Sequence, residues 1–220
     1  AAYKGLRTAL VERETLGGTC LNRGCIPTKT MIESARAAHA VRTAERLGVL
    51  VGGDVRVDLA AVVRRKDEVV RSIRDGAYRQ VEKNERLTLI EAEGRFVEPG
   101  VIEVGDATIR AERVVINTGA RPTFPNIEGL ADVPYLTSRE LLDVTDLPEH
   151  LVVVGGGYVG CEFAQMFRRF GSRVTIVQRG AHLLPGEDPA AADVIADVFR
   201  EEGIDLLLGA EARRVEPRGA

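Results

Sequence analysis

"LVVVGGGYVGCEFAQMFRRFG", residues 151–171, decides the fold. Four apolar residues, Leu151 to Val154, run into a glycine cluster in which Gly155, Gly157 and Gly160 have the spacing G-x-G-x-x-G. An amphipathic pattern begins at Tyr158 and stops at Gly171. Strand, glycine turn and helix in that order make the dinucleotide fingerprint: Gly155 permits the tight turn, Gly157 lets the backbone approach a pyrophosphate, and Gly160 lets helix pack on strand. The helix N-terminus then offers unpaired N–H groups to the phosphates. A plain doubly wound sheet with a glycine turn is the bland alternative.

Downstream, "RVTIVQR" (173–179) reads as a strand, "DPAAADVIADVFREEG" (188–203) as a helix and "IDLLLG" (204–209) as a strand. Such alternation implies βαβ units on a parallel sheet. The second strand ends in Gln178-Arg179, at the place where an acid would bind the ribose hydroxyls of NAD. A glutamine cannot replace that carboxylate, whereas Arg179 can pair with a 2′-phosphate, so NADPH is favoured over NADH. A solvated surface arginine is the competing reading.

Toward the N-terminus, "RTALVE" (7–12) has the look of a buried strand, followed by a glycine-rich loop. "IPTKTMIESARAAHAVRTAERLG" (26–48) predicts a helix with Pro27 in its first turn and Gly48 at its stop. A second, amphipathic helix is predicted from Leu59 to Val81. Four β-prone runs follow, "LTLIEA", "GRFVE", "GVIEVG" and "ATIRAE", and predict a small antiparallel meander. "RVVINTGARPTFP" (113–125) predicts an apolar strand ending at Asn117-Thr118-Gly119, and a connector runs on to Pro148. The expected fold is α/β, with two Rossmann-like nucleotide-binding domains on doubly wound parallel sheets. The first, 1–148, carries the meander; the second is 149–220. Both chain ends look cut, so both domains are expected to be incomplete.

Composition narrows the function classes. With 30 basic and 33 acidic side chains and a net charge of -3, the 220 residues carry no basic stripe, and nucleic acid is not an expected partner. No apolar run approaches the roughly 20 residues of a membrane span, and no signal-peptide core is seen at the N-terminus. A cytoplasmic protein with no membrane partner is expected.

Two of the three cysteines, Cys20 and Cys25, stand five positions apart in "LGGTCLNRGCIPTKT" (16–30). Without a second ligand pair the spacing is poor for zinc, and no metal site is expected. Gly18 and Gly24 supply the permissive backbone that a bridge between the two requires. Cys25 lies at a predicted helix N-terminus with Lys29 one turn on, which would stabilise its thiolate and leave Cys20 as the accessible attacking thiol. A redox pair and two unpaired structural cysteines both remain open on this reading. Cys161 reads as a small core residue, and none of His39, His150 and His182 is given a catalytic role.

"GGTCLNRGCIPTK" (17–29) closely resembles the active-site stretch of the class I flavin-dependent pyridine nucleotide-disulfide oxidoreductases, the family of dihydrolipoamide dehydrogenase, glutathione reductase and mercuric reductase. "VVINTGARP" (114–122) resembles the family's second flavin-domain motif and "GGGYVGCEF" (155–163) its nicotinamide-domain motif, in the expected order. The resemblance implies FAD and NAD(P)H as cofactors. It implies that Cys20 handles the substrate and that Cys25 contacts the flavin. Lys29 would lie near flavin N5, paired with Glu162. Glu12 would bind the adenosine ribose of FAD, with Gly18, Thr19, Thr118 and Gly119 against the flavin cofactor, and Tyr158 would cover the nicotinamide pocket.

The same resemblance implies a homodimeric enzyme that passes electrons from NAD(P)H through FAD to a Cys20–Cys25 disulfide and on to a small disulfide or a metal ion. The family's first glycine fingerprint, its later Gly-Asp strand and its dimerisation domain have no counterpart in the 220 residues. A fragment is therefore expected, inactive alone. Asn117 replaces the family's usual Ala, which together with Gln178-Arg179 argues against a plain dihydrolipoamide dehydrogenase. Two other readings compete: a flavoprotein quinone reductase or oxidase with incidental cysteines, and a non-catalytic NADPH-binding module.

Overall fold

The computed structural model describes residues 1–217; the last three positions of the expected second domain lie outside the described residues. Along the chain come β1 (Thr8–Glu12), α1 (Gly18–Arg23), α2 (Cys25–Thr43), α3 (Leu59–Glu82) and β2 (Leu87–Glu91). The strands β3 (Gly94–Glu98), β4 (Val101–Val104) and β5 (Ala107–Arg110) and the short α4 (Ser138–Leu141) follow. The chain then alternates through β6 (His150–Val154), α5 (Tyr158–Phe170), β7 (Arg173–Gln178), α6 (Pro189–Glu201) and β8 (Ile204–Leu208). These elements form two compact units, residues 1–26 with 67–121, and residues 27–66 with 122–220.

In the first unit β1 pairs in parallel with β2, from Thr8 opposite Leu87 to Glu12 opposite Glu91. The run 87–92 is therefore not the first strand of a meander, as its spacing predicts. A helical crossover between two strands brings the second back parallel to the first, and the α3 segment makes that return possible here. The antiparallel meander is three-stranded, in the order β3–β4–β5. Its β4–β5 hairpin closes on the two-residue loop Gly105-Asp106, with Gly105 at φ 57°.

The strand predicted to run from Arg113 to Asn117-Thr118-Gly119 does not form. Those residues join no ladder, and Val115 and Ile116 are 89% and 70% exposed. An apolar run becomes a strand only where a neighbouring edge accepts its hydrogen bonds, and β1 and β2 pair only with each other. The glycine-rich loop at 16–25 also departs from expectation, since α1 occupies its middle.

In the second unit β6, β7 and β8 form a parallel sheet in sequential order, with Leu151 opposite Val174 and Val174 opposite Ile204. The buried core joins Met31 and Ala35 of α2, Leu59 and Val63 of α3, Phe163, Met166, Phe167 and Phe170 of α5, Val174 and Ile176 of β7, and Phe199 of α6. Phe163, Met166, Phe167 and Phe170 fall at i, i+3, i+4 and i+7, the apolar stripe of a helix with one face on a core. Burial of each such side chain contributes about 1.5–3 kcal/mol. Pro189 at the first turn of α6, behind the Asp188 N-cap, and Gly171 after α5 set the helix ends. Among the described residues, no helix is long and apolar enough to cross a membrane.

Candidate active site

The cysteine segment is built from tight local chemistry. β1 ends at Glu12, whose Oε1 accepts a hydrogen bond from the Glu14 N–H at 2.9 Å. The Leu16 N–H donates to the Tyr78 hydroxyl at 3.3 Å, and that hydroxyl donates to Glu91 at 3.0 Å, anchoring the segment to α3 and β2. Gly17, at φ 112°, caps α1. Asn22, between the cysteines, donates through Nδ2 to the carbonyls of Thr15, Leu16 and Gly18 at 3.4, 3.2 and 3.0 Å. Arg23 pairs with Glu14 at 2.6 Å.

Gly24 separates α1 from α2, and a Cβ there would lie 2.9 Å from the Thr19 carbonyl oxygen and 3.2 Å from Cys20 Cα. Only glycine permits that approach, and it folds the chain so that the first residue of α2, Cys25, meets Cys20. Both are exposed free thiols. The neighbouring Cys25 side chain raises the Cys20 pKa above the ordinary thiol value; burial and the Cys25 charge add to the rise. The backbone amides of Cys25 and Ile26 act in the opposite sense. Cys25 opens α2, at a helix N-terminus as the sequence predicts, and the first amides of that helix also act on the Cys20 sulfur.

Around this turn, Gly18 and Thr19 are exposed. A Cβ added at Gly119 would lie 4.0 Å from Thr19 Oγ1, so Gly119 comes close to Thr19, with Thr118 beside it in an irregular exposed stretch. The second carboxylate oxygen of Glu12 accepts no hydrogen bond among the described residues.

In the second unit Lys29 on α2 and Glu162 on α5 form an ion pair, with Lys29 mostly exposed and Glu162 half-buried. They border a cavity of about 450 Å³ with Ile32, Ala35, Gln165 and Met166 in its walls. Nearby, Glu202 takes a bidentate bond from Arg169 at 2.5 and 2.8 Å and a third from Gln165 at 2.9 Å. Burial alone would raise the Glu202 pKa, but the Arg169 hydrogen bonds and charge, with His39 and Gln165, carry it below the ordinary value.

The glycine turn after β6 has the form of a cradle. Gly155 sits at φ 108°, and a Cβ at Gly160 would strike its carbonyl oxygen, whereas a Cβ at Gly157 would meet nothing within 4 Å. The turn is closed on the protein side and open at the start of α5. Gly157 is the N-cap of that helix and supplies no side-chain cap. A dinucleotide pyrophosphate fits such a cradle, because the first helical N–H groups are left without side-chain acceptors. Tyr158 stands beside it, 75% exposed.

Gly156 is tied on both sides. Its N–H donates to Gln178 Oε1 at 2.9 Å, and its carbonyl accepts from the Leu184 N–H at 2.7 Å and from the Cys161 thiol at 3.4 Å. Leu184 is the one non-glycine residue with positive φ, at 51°, among the described residues. Gln178 is buried at the end of β7, while Arg179 is exposed and makes no ion pair among the described residues. Cys161 lies in the core, and burial, with the Glu162 charge adding, pushes its thiol up to about 11. His182 pairs with Asp193 at 2.9 Å and His150 meets Thr175 at 2.9 Å.

The tying roles of Asn22, Tyr78 and Leu184 are absent from the sequence reading. "CLNRGC" holds a signal for Asn22, an amide between two cysteines, but no spacing rule points to Tyr78 or Leu184. Among the described residues no group of three or more His, Cys, Asp and Glu side chains could hold a metal ion.

Known proteins are similar to this chain. The family profile described as pyridine nucleotide-disulphide oxidoreductase matches residues 1–220. A mercuric reductase of Lysinibacillus sphaericus is 37% identical over 98% of this chain and 39% of its own length. A dihydrolipoyl dehydrogenase of Chlamydia muridarum is 35% identical over 100% of this chain and 48% of its own. The solved structure of the HOCl-induced flavoprotein disulfide reductase RclA from Escherichia coli superposes with a TM-score of 0.83 at 35% identity, covering 97% of this chain and 46% of that one. The chain thus spans less than half the length of these relatives. On the strength of the family match and the Rossmann-like α/β fold it shares with these proteins, the chain belongs to the pyridine nucleotide-disulphide oxidoreductase family.

Proposed function

We propose that the protein carrying this chain is a flavin-dependent NAD(P)H:disulfide oxidoreductase whose redox pair is Cys20 and Cys25, with a small disulfide or a metal ion as final acceptor. The observation that carries the reading is the tight turn at Gly24, which sets Cys25, the first residue of α2, against Cys20: a Cβ at Gly24 would lie 3.2 Å from Cys20 Cα. It brings together two exposed sulfurs that the sequence separates by five positions.

Bound FAD supplies a relay for the two electrons of NAD(P)H. Every other step falls to the chain. Residues 1–148 are assigned to FAD, with Glu12 on the adenosine ribose and Gly18, Thr19, Thr118 and Gly119 along the cofactor. Residues 149–220 are assigned to NAD(P)H, with Gly155, Gly157 and Gly160 under the pyrophosphate and Tyr158 as the movable cover. This division follows the ligand, not the compact units. Lys29, its ammonium held by Glu162, is the cation assigned to the flavin.

The oxidised pair gains two electrons and two protons and becomes two thiols, with Cys25 as the sulfur that first accepts the electrons. Cys20 then loses its proton and attacks the acceptor. With a disulfide acceptor this forms a mixed disulfide and releases one thiol; Cys25 resolves it, restoring the Cys20–Cys25 bond and releasing the second. Arg179, exposed and without an ion pair among the described residues, supports NADPH as the preferred donor. The mercuric reductases among the relatives, and an RclA structure described as a Cu(II) complex, make a thiophilic metal ion a reasonable acceptor beside a disulfide. Homodimerisation is assigned by family.

The test is steady-state NADPH oxidation by the full protein against lipoamide, glutathione disulfide and Hg(II), with the wild type and Cys20→Ser. Turnover on at least one acceptor, lost in Cys20→Ser, is expected. Turnover on a quinone that survives alkylation of Cys20 would favour a flavoprotein that does not use the pair.

A further inference from the structure

We propose that Tyr78 is a positioning residue of the redox pair: its hydroxyl, aimed by Glu91, pins the entry of α1 and so holds Cys20 where a disulfide to Cys25 can close. The proposal rests on the reading of Cys20 and Cys25 as a redox pair. α1 runs from Gly18 to Arg23, six residues, and Gly17 at its N-cap makes no side-chain cap bond. A helix that short does not hold itself in water, so its place is set by what it is tied to. At one end Gly24 joins it to Cys25, and glycine is the least restrained joint the backbone has. The angle of α1 about Gly24 sets how far Cys20 stands from Cys25, and that angle has to be fixed from the other end.

The other end is fixed through one peptide group. The Leu16 N–H donates to the Tyr78 hydroxyl at 3.3 Å, and across the same peptide the Thr15 carbonyl accepts from Asn22 Nδ2 at 3.4 Å. Leu16 is buried, and Leu21 packs over Gly17, where a Cβ would lie 2.3 Å from Leu21 Cδ2. The Asn22 bonds and the Arg23–Glu14 pair close within the segment. Among the described residues, Tyr78 is the one side chain remote in sequence that hydrogen-bonds residues 15–23.

A tyrosine hydroxyl carries a single proton. Tyr78 gives it to Glu91 Oε1 at 3.0 Å, which leaves the oxygen's lone pairs to Leu16. Without that acceptor the phenol is free to turn its proton toward the Leu16 N–H, two donors face to face. Glu91 closes β2 in register with Glu12 at the end of β1, so the relay stands on a paired strand end. It makes no ion pair among the described residues, and the Tyr78 hydroxyl is the group it holds. A disulfide accepts only a narrow range of separations, about 4.4–6.8 Å between Cα atoms. Both cysteines are free thiols in this structure, so the tether is made before the bond closes and leaves closure less to order.

The experiment equilibrates the full protein with mixtures of oxidised and reduced dithiothreitol, traps free thiols and maps Cys20 and Cys25. It compares wild type with Tyr78→Phe, Glu91→Gln, Glu91→Leu and the double variant Tyr78→Phe with Glu91→Leu. In this exchange the two thiols give two electrons and two protons to the cyclic disulfide of dithiothreitol, which becomes a dithiol. The quantity read is the equilibrium constant between pair and buffer, which a loss of stability shared by both forms leaves alone. Tyr78→Phe should make the disulfide about three to ten times easier to reduce, the worth of one net hydrogen bond. Glu91→Gln keeps an oxygen acceptor for the phenol and should stay near wild type. Glu91→Leu should shift the same way as Tyr78→Phe, and the double variant should shift no further than Tyr78→Phe alone. An equilibrium unchanged in Tyr78→Phe, with or without a lowered melting temperature, would overturn the proposal, and so would single shifts that add in the double variant. Should Tyr78→Phe not fold, Glu91→Leu at its exposed strand end decides by the same readout, and an unchanged equilibrium there overturns the proposal. Wild-type Cys20 and Cys25 that stay thiols at every ratio would instead remove the redox reading, and the proposal with it.

Discussion

Cys25, the first residue of α2, stands against Cys20 across the Gly24 turn, and its side chain and its backbone amide, with that of Ile26, both act on the Cys20 sulfur. One residue thus raises the Cys20 pKa through its side chain and lowers it through its backbone, and the side chain prevails.

A pH profile follows. In the reduced protein, alkylation of Cys20 should keep rising beyond the ordinary thiol value of 9.0, because the raised pKa delays formation of the reactive thiolate. Cys25→Ala removes the largest cause of the rise and keeps the opposing amides, so its profile should move to lower pH. Iodoacetamide kinetics with peptide mapping reads both, and an unchanged profile in Cys25→Ala would break the link. Cys161, pushed to about 11 and buried, should stay unlabelled at pH 8.

Asn22 ties three carbonyls of the cysteine turn through one NH2 group. Asn22→Ala should make the Cys20–Cys25 disulfide easier to reduce, shifting its equilibrium with a dithiol by about tenfold, the worth of roughly one good hydrogen bond. Redox titration by thiol trapping measures the shift. An unchanged equilibrium with a lowered melting temperature would assign Asn22 to stability alone.

The last two glycines of the cradle should separate folding from binding. Gly157→Ala meets empty space, so melting should be unaffected while nucleotide binding weakens. Gly160→Ala drives a methyl group into the Gly155 carbonyl and should cost about 1–3 kcal/mol of stability, a usual overpacking penalty. Denaturant unfolding and nucleotide calorimetry on both variants check this.

Glu202 gives the second unit an acid-sensitive joint. Its folded pKa is depressed below the ordinary value of 4.5, so its contribution is fully present above 4.5 and is lost as pH falls through the depressed folded value. Glu202→Gln should therefore be less stable than wild type at neutral pH, and the gap should close on acidification. Breaking the largely buried pair with Arg169 should cost about 3 kcal/mol at neutral pH. Urea unfolding from pH 3 to 7 follows the difference.

The second unit was legible because its signals are local. The cradle glycines, the Asp188 cap and the stripe from Phe163 to Phe170 each state their own geometry within a few residues. The first unit was less so. Nothing in "LTLIEA" tells a strand that joins Thr8–Glu12 in parallel from one that begins a hairpin, since the alternation is the same. "RVVINTG" carries strand propensity, yet a strand exists only with a neighbour, and Val115 and Ile116 have none. The cysteines are visible as a pair through their spacing and glycines, and Cys25 at a helix start through Pro27 in its first turn. The tie between Gly156 and Gln178, 22 positions apart, depends on two strands lying side by side and has no local mark.

The central claim is that electrons from NADPH reach Cys20 and Cys25. The direct measurement is anaerobic addition of NADPH to the oxidised full protein, followed by rapid alkylation and peptide mapping. The account predicts that one equivalent of NADPH yields two new labelled thiols, at Cys20 and Cys25, with Cys161 unlabelled. Oxidation of NADPH with Cys20 and Cys25 left unlabelled would contradict it.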